Sequence, residues 1–199
     1  QGSRCCGRPA FSVGRLDVAE RFGRHNVRLF ESEREDTPIV FLEPSCYSMF
    51  AGDYRELGIS GAERVASRCV LFEQFMFNLL EREPDAIRFV SEPVRVAIHG
   101  HCHAKALTDT QLMPKLASRI PNSKVEMLDT GCCGMAGSFG ALREKYELSL
   151  AVAAPLVERL NSLDPGTKLV ASGTSCRQQI GHLTKLQPLH MAELLAEKL

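Results

Sequence analysis

Two stretches of the chain place a pair of neighbouring thiols beside a glycine: Cys5-Cys6-Gly7 and Cys132-Cys133-Gly134. Adjacent cysteines rarely bridge each other, because neighbouring Cα atoms lie about 3.8 Å apart whereas disulfide-linked residues usually span roughly 4.4–6.8 Å. Each thiol must find a different partner. Thiolates on a tight bend can reach different atoms of one polynuclear metal centre, whereas the plain alternative is a pair of small buried hydrophobes. Cys102 and Cys176 weigh on that choice, since with Cys132 and Cys133 they supply four thiolates, the number an iron–sulfur cluster needs. Zinc also accepts four thiolates, but its structural sites usually use Cys-x2–4-Cys knuckles, a spacing absent here. Glycines 131, 134, 137 and 140 allow backbone N–H groups to approach sulfur, and a helix beginning near Gly140 is expected to direct its positive end at an anionic cluster.

The run His99-Gly100-His101-Cys102-His103 has two readings. If it stays extended, the three imidazoles share one side and Cys102 faces the other, so they do not bind one ion together. His101 or His103 then suits donation to a cluster sulfur. An ordinary turn-forming or core histidine is an equal alternative. Arg177, beside Cys176, either offsets cluster charge or caps a helix, and Cys69 lies among Val70, Phe72, Met76 and Leu80 as a core thiol.

The elements that must position these residues form a repeat. Each Cys-Cys-Gly is followed by a helix-like stretch, a short apolar run and a Ser-Cys pair, ending at Cys46 in the first copy and Cys176 in the second. Apolar periodicity predicts helices over 15–31, 62–82, 108–119 (interrupted near Pro114), 140–161 and 190–198, with strands over 38–42, 94–98, 124–128 and 168–171. Alternating strands and helices imply an α/β fold of two pseudo-repeated, Rossmann-like halves with short parallel sheets and the cysteines at the carboxyl ends of strands. The repeat boundaries divide the chain into 1–92 and 93–199. The second copy has a strand and helix before its double cysteine, so the first reads as truncated, its matching βα segment upstream or missing.

Composition narrows the partners. The 199 residues are 44% hydrophobic, enough for a sizeable core, and 24 basic side chains balance 24 acidic ones, which argues against nucleic acid or an anionic membrane surface. No apolar run approaches the roughly 18 residues of a membrane span. Eight cysteines in a chain of this length, two pairs of them adjacent, fit thiolate ligands in a reducing cytoplasm better than a disulfide scaffold.

The motifs Cys-Cys-Gly-Arg-Pro (5–9), Leu-Glu-Pro-Ser-Cys (42–46), His-Gly-His-Cys-His (99–103), Gly-Cys-Cys-Gly-Met-Ala-Gly-Ser-Phe-Gly (131–140) and Ser-Cys-Arg-Gln-Gln-Ile (175–180) together resemble a known family. It is the cysteine-rich CCG domain found in heterodisulfide reductase, in the iron–sulfur subunits of glycolate oxidase and anaerobic glycerol-3-phosphate dehydrogenase, and in lactate-utilisation proteins. The combination is most similar to the C-terminal iron–sulfur region of fused FAD-linked 2-hydroxy-acid dehydrogenases of the D-lactate or D-2-hydroxyglutarate type. The family pattern is Cys…Cys-Cys-Gly…Cys-x-x-Cys. Here Cys102, Cys132, Cys133 and Cys176 match it, while Gly173 stands at the first position of Cys-x-x-Cys, which argues against a five-thiolate, non-cubane cluster and leaves a four-thiolate one open. In the first copy Cys5, Cys6 and Cys46 match and Glu43 replaces the other cysteine, so that site is expected to be degenerate and mainly structural.

The resemblance implies a 4Fe-4S electron-transfer module, readily lost in air, with no catalytic residue of its own. Electrons would come from FAD on a separate domain or subunit and pass to a quinone or another carrier. It also implies a cytoplasmic protein, peripheral to the inner face of the membrane through its partners. Two other functions compete: a cluster-based disulfide reductase of the heterodisulfide type, which Gly173 argues against, and a zinc-bound or metal-free interaction domain.

Overall fold

In the computed structural model, which describes residues 2–32, 34 and 36–199, the chain divides into two compact units, 1–71 and 72–199. That division by packing comes earlier than the repeat boundary at 92/93. Residues 72–82 form a helix whose Met76 and Leu80 lie in the core of the second unit.

The first unit is organised by its long helix. After α1 (Arg8–Ser12), helix α2 (Leu16–Glu31) buries Ala19, Gly23, Asn26 and Val27, a stripe one helical turn apart along one face. Strand β1 (Ile39–Phe41) leads into α3 (Pro44–Ser48), one wide turn of π-helix at Met49–Asp53, α4 (Tyr54–Glu56) and α5 (Ala62–Ala66). Strand β2 (Cys69–Leu71) then pairs parallel with β1, Ile39 opposite Cys69 and Phe41 opposite Leu71. The core gathers Met49, Phe50 and Tyr54 against Ala19, Val27 and Val65, and the Phe50 ring packs on Phe30, Phe41 and Tyr54. The single helix expected over 62–82 is therefore two helices with a strand between them.

In the second unit α6 (Phe72–Arg82) precedes β3 (Val94–Ile98), the middle strand of a parallel sheet of order β4-β3-β5, with β4 at Ser123–Met127 and β5 at Lys168–Val170. The alternation of side chains along β3 sorts the two cores. Val94, Val96 and Ile98 pack in one cluster with Met76 and Leu80 of α6, with α8 (Leu112–Ala117) and with α11 (Met191–Ala196). Ala97 lies in the other, with Leu156 and Leu160 of α9 (Tyr146–Asn161) and Ile180 of α10 (Thr174–Leu183). That second cluster also holds Cys133 and Cys176, so the face of the sheet that carries Ala97 is the one that carries the thiols.

Three expected elements shift. The segment before Thr108 is helical, because α7 (Cys102–Leu107) starts at Cys102; Pro114 sits in the first turn of α8, where a missing N–H costs nothing, and does not break it. The helix expected from Gly140 starts at Tyr146, after two short 3-10 turns at Phe139–Ala141 and Arg143–Lys145. Pro155 lies inside α9. Among the described residues no helix is long and apolar enough to cross a membrane.

Candidate metal centre

The three strands of the second sheet end at the three loops that carry the thiols. Cys102 opens α7 after β3, Cys132 and Cys133 lie in the loop after β4, and Cys176 is in the first turn of α10 after β5. Their side chains are neighbours in one row, each shifting the protonation of the next: Cys102 and Cys132, Cys132 and Cys133, Cys133 and Cys176, and Cys176 and His99. Protons are unequally shared along it. Cys132 is held far below the ordinary thiol range by hydrogen bonds from Cys102 and Cys133, and Cys176 falls to about 5 through Cys133 and then His99, against the opposing effect of burial. Cys102 and Cys133, the donors, are pushed up. All eight cysteines are free thiols, with Cys133 and Cys176 buried and Cys102 exposed. Among the described residues no three His, Cys, Asp or Glu side chains converge on a single metal-ion position.

The Cys-Cys-Gly turn owes its shape to the glycine. Gly134 has φ +88°, and a Cβ there would lie 2.2 Å from the backbone oxygen of Ser149 in α9. Only a residue without a side chain lets the turn rest on the helix at fully buried Ser149, whose hydroxyl accepts from Gln179 Nε2 at 3.1 Å. The Gly134 N–H then donates to Cys132 Sγ at 3.3 Å. The helix that the turn touches is entered beyond its first residues, so the expected arrangement, a helix N-terminus directly after Gly140, is replaced by this close approach. Helix starts adjoin the row elsewhere, at Cys102 and Cys176.

The first unit repeats this geometry. Gly7 also has φ +88°, its N–H donates to Cys5 Sγ at 3.5 Å, and a Cβ would meet Ala19 Cα in α2 at 3.0 Å. Cys46 takes in α3 the place of Cys176 in α10, and it hydrogen-bonds Cys6 as Cys176 does Cys133. Here the Cys46 hydrogen bond brings Cys6 down to about 7 despite burial, and Cys46 rises in consequence. The turn is tied by Asn26, which accepts from Arg4 N–H at 2.8 Å and donates to the Arg4 and Cys5 carbonyls at 3.2 Å, while Tyr54 Oη–H donates to Cys6 O at 2.7 Å. Glu43, at the position of a cysteine in the family pattern, is the N-cap of α3 and accepts from Ser45 N–H at 3.0 Å. Arg8 ties the turn to Ser48 and Asp53. Cys69 is apart from this row; its thiol donates to Val65 O at 3.2 Å and burial pushes it up to about 12.

The histidines do not follow the extended alternation. His101 is the N-cap of α7, where its Nδ1 accepts the His103 N–H at 3.1 Å, and the two rings sit 5.1 Å apart, edge to face. His99, to which the sequence pattern gave no role of its own, is 1% exposed and helps to lower Cys176, with its Nδ1 3.3 Å from Thr130 Oγ1. Its signal lay in its place as the residue directly after the most buried strand. Arg177 acts as a clamp, its Nη1 donating to the Ala171 and Ser172 carbonyls at 2.9 and 2.7 Å, which fixes the β5–α10 loop that delivers Cys176. Beneath that loop the Ser172 hydroxyl donates to the buried carboxylate of Glu73.

Comparison with known proteins identifies the family. The chain is 28% identical over 202 residues, 98% of its length, to a subunit of the anaerobic glycerol-3-phosphate dehydrogenase of Escherichia coli (strain K12), and it covers 50% of that subunit. It is 26% identical over 213 residues to lactate utilization protein A 2 of Bacillus cereus (strain AH820), covering 100% of this chain and 84% of that protein. The chain thus spans about half the length of the first of these relatives. No solved structure matches it. The family described as the cysteine-rich domain, CCG, matches residues 1–51 and 96–181, a match that takes in Cys5, Cys6, Cys46, Cys102, Cys132, Cys133 and Cys176, and the chain belongs to that family.

Proposed function

We propose that the second unit binds an iron–sulfur cluster through Cys102, Cys132, Cys133 and Cys176, and that the protein is an electron-transfer module for a dehydrogenase. The observation that carries this reading is the row of four neighbouring thiols that three strand ends bring side by side. Their number and softness suit iron–sulfur ligation. When bound, the cluster supplies a one-electron acceptor and donor. The rest is done by the chain: Gly134 N–H stabilises negative charge on Cys132, His99 does the same for Cys176, and the buried side of the row keeps water from two of the sulfurs. Exposed Cys102 is the edge at which a partner can approach closely.

The relatives' names, a glycerol-3-phosphate dehydrogenase component and a lactate utilization protein, support oxidation of a hydroxy-substrate as the electron source, and we take the first electron acceptor to be a flavin. The flavin belongs to another domain or subunit, and a quinone or similar carrier receives the electrons. We take the cluster to be 4Fe-4S, one of the two forms that four thiolates hold, and Cys5, Cys6 and Cys46 to be a degenerate, structural copy. We place this activity in the cytoplasm, at the inner face of the membrane through partners. The test is spectroscopic: anaerobically reconstituted protein is reduced by a photoreduced flavin and reoxidised by a soluble quinone while electron paramagnetic resonance is recorded. A signal that appears and disappears over repeated cycles with constant iron content is expected. A centre that is destroyed by one cycle, or that no flavin reduces, would overturn the electron-transfer role.

A further inference from the structure

The position that departs from the family pattern, Gly173, has a structural partner. Its backbone is extended, with φ −78° and ψ 132°, a conformation open to any residue, so the glycine is not there for the chain's sake. It is there because of a ring. A Cβ at 173 would lie 2.1 Å from His101 Cδ2 and 3.0 Å from both Cγ and Nε2. The imidazole cannot easily yield, since it is 3% exposed and is held as the α7 cap by the His103 N–H on Nδ1. That same hydrogen bond fixes the tautomer: with Nδ1 accepting, the proton of a neutral ring is on Nε2. The edge turned to Gly173 is therefore a donor edge. Residue 173 stands three before Cys176, at the N-cap of α10, which is where the first thiol of a Cys-x-x-Cys limb would start. The first unit has Glu43 at the same N-cap place before Cys46, so the two copies differ at this position.

We propose that His101 replaces the missing cysteine, its ring filling the space a side chain at 173 would need and its Nε2–H serving as a fixed hydrogen-bond donor to the sulfur of the centre, so that the site closes with four thiolates and one imidazole donor. This rests on the cluster reading above for the donor role, though not for the fit of ring to glycine. His101 is a positioning and tuning residue and not a ligand, because its acceptor nitrogen is already in use. Hydrogen bonds to cluster sulfur favour the reduced, more negative form and raise the potential. Proximity to the row is also visible electrostatically, since His101 contributes to lowering Cys176.

Two measurements separate the parts. In metal-free protein, Gly173→Ala should lower Tm in the parent and have little effect in a His101→Ala background; an equal loss in both backgrounds would overturn the matched pair. In reconstituted protein, His101→Ala and His101→Asn should keep the parent's iron and sulfide content and shift the midpoint potential downward. Asn restores the helix cap and hence Tm, but its amide is too short to restore the potential. A midpoint unchanged in both variants would overturn the donor role while leaving the cluster intact. A parent that takes up no iron and sulfide would overturn the cluster reading, and the donor role with it, whatever the metal-free cycle shows.

Discussion

Replacing Gly134 by alanine adds one methyl group at the point where the Cys-Cys-Gly turn rests on α9. Two costs follow. Holding a non-glycine residue at φ +88° costs about 1–2 kcal/mol. The new Cβ would also fall 2.2 Å from Ser149 O and 3.1 Å from Ser149 C, backbone atoms of a helix that cannot rotate away as a side chain could, and overpacking of this kind costs about 1–3 kcal/mol. Gly166→Ala isolates the first cost, because Gly166 has φ +78° and no atom within 4 Å of its would-be Cβ. The two variants should thus differ by about 1–3 kcal/mol, or roughly 2–4 °C in Tm per kcal/mol, measured by calorimetry on metal-free protein. Gly134→Ala should also retain less iron after reconstitution than Gly166→Ala, since displacing the turn moves the N–H away from Cys132 Sγ. Equal Tm losses in the two variants would refute the claim that close approach, and not backbone conformation alone, demands glycine here.

Other substitutions probe other supports. Asn26→Ala removes four hydrogen bonds from a fully buried side chain that ties the first Cys-Cys-Gly turn, and should cost about 1–3 kcal/mol and speed proteolysis within residues 2–7 without lowering the iron held by the second unit. Glu73→Ala leaves the Ser172 hydroxyl without its acceptor beneath the Cys176 loop and should cost about 1–3 kcal/mol in urea unfolding, whereas Glu73→Gln keeps an acceptor oxygen and should cost less. Cys69, protonated up to about pH 12, should resist iodoacetamide at pH 8 in native protein, because alkylation needs the thiolate that burial suppresses until the pH rises past that value, and Cys69→Ala should leave iron content unchanged.

The sequence was most readable where periodicity and length agree. Helix α2, strand β3 and the parallel α/β class follow from apolar spacing, and the duplication follows from the two Cys-Cys-Gly motifs, whose matching Gly7 and Gly134 turns make it visible in the backbone. Strand β2 escaped because three apolar residues between two helical stretches have no period of their own, and only pairing with β1 defines them. The start of α9 was misplaced because Gly140 looked like an entry point, whereas the turn uses it to pass close to Ser149 and Met135 before the helix begins. At the site, residue type and motif singled out the four thiols that we propose as ligands, and the structure brings them into one row of neighbours. The role of His99 was not legible, nor was the dependence of Gly173 on the His101 ring, because both arise from loops that are distant in sequence and meet only beyond the ends of the strands.

The most direct test is a count of iron and acid-labile sulfide after anaerobic reconstitution of the parent, Cys133→Ser and Cys6→Ser. The account predicts iron and sulfide in near-equal amounts in the parent and in Cys6→Ser, and loss of most of both in Cys133→Ser, the thiol that joins Cys132 to Cys176 in the row. A Cys133→Ser protein that holds as much of each as the parent would contradict it.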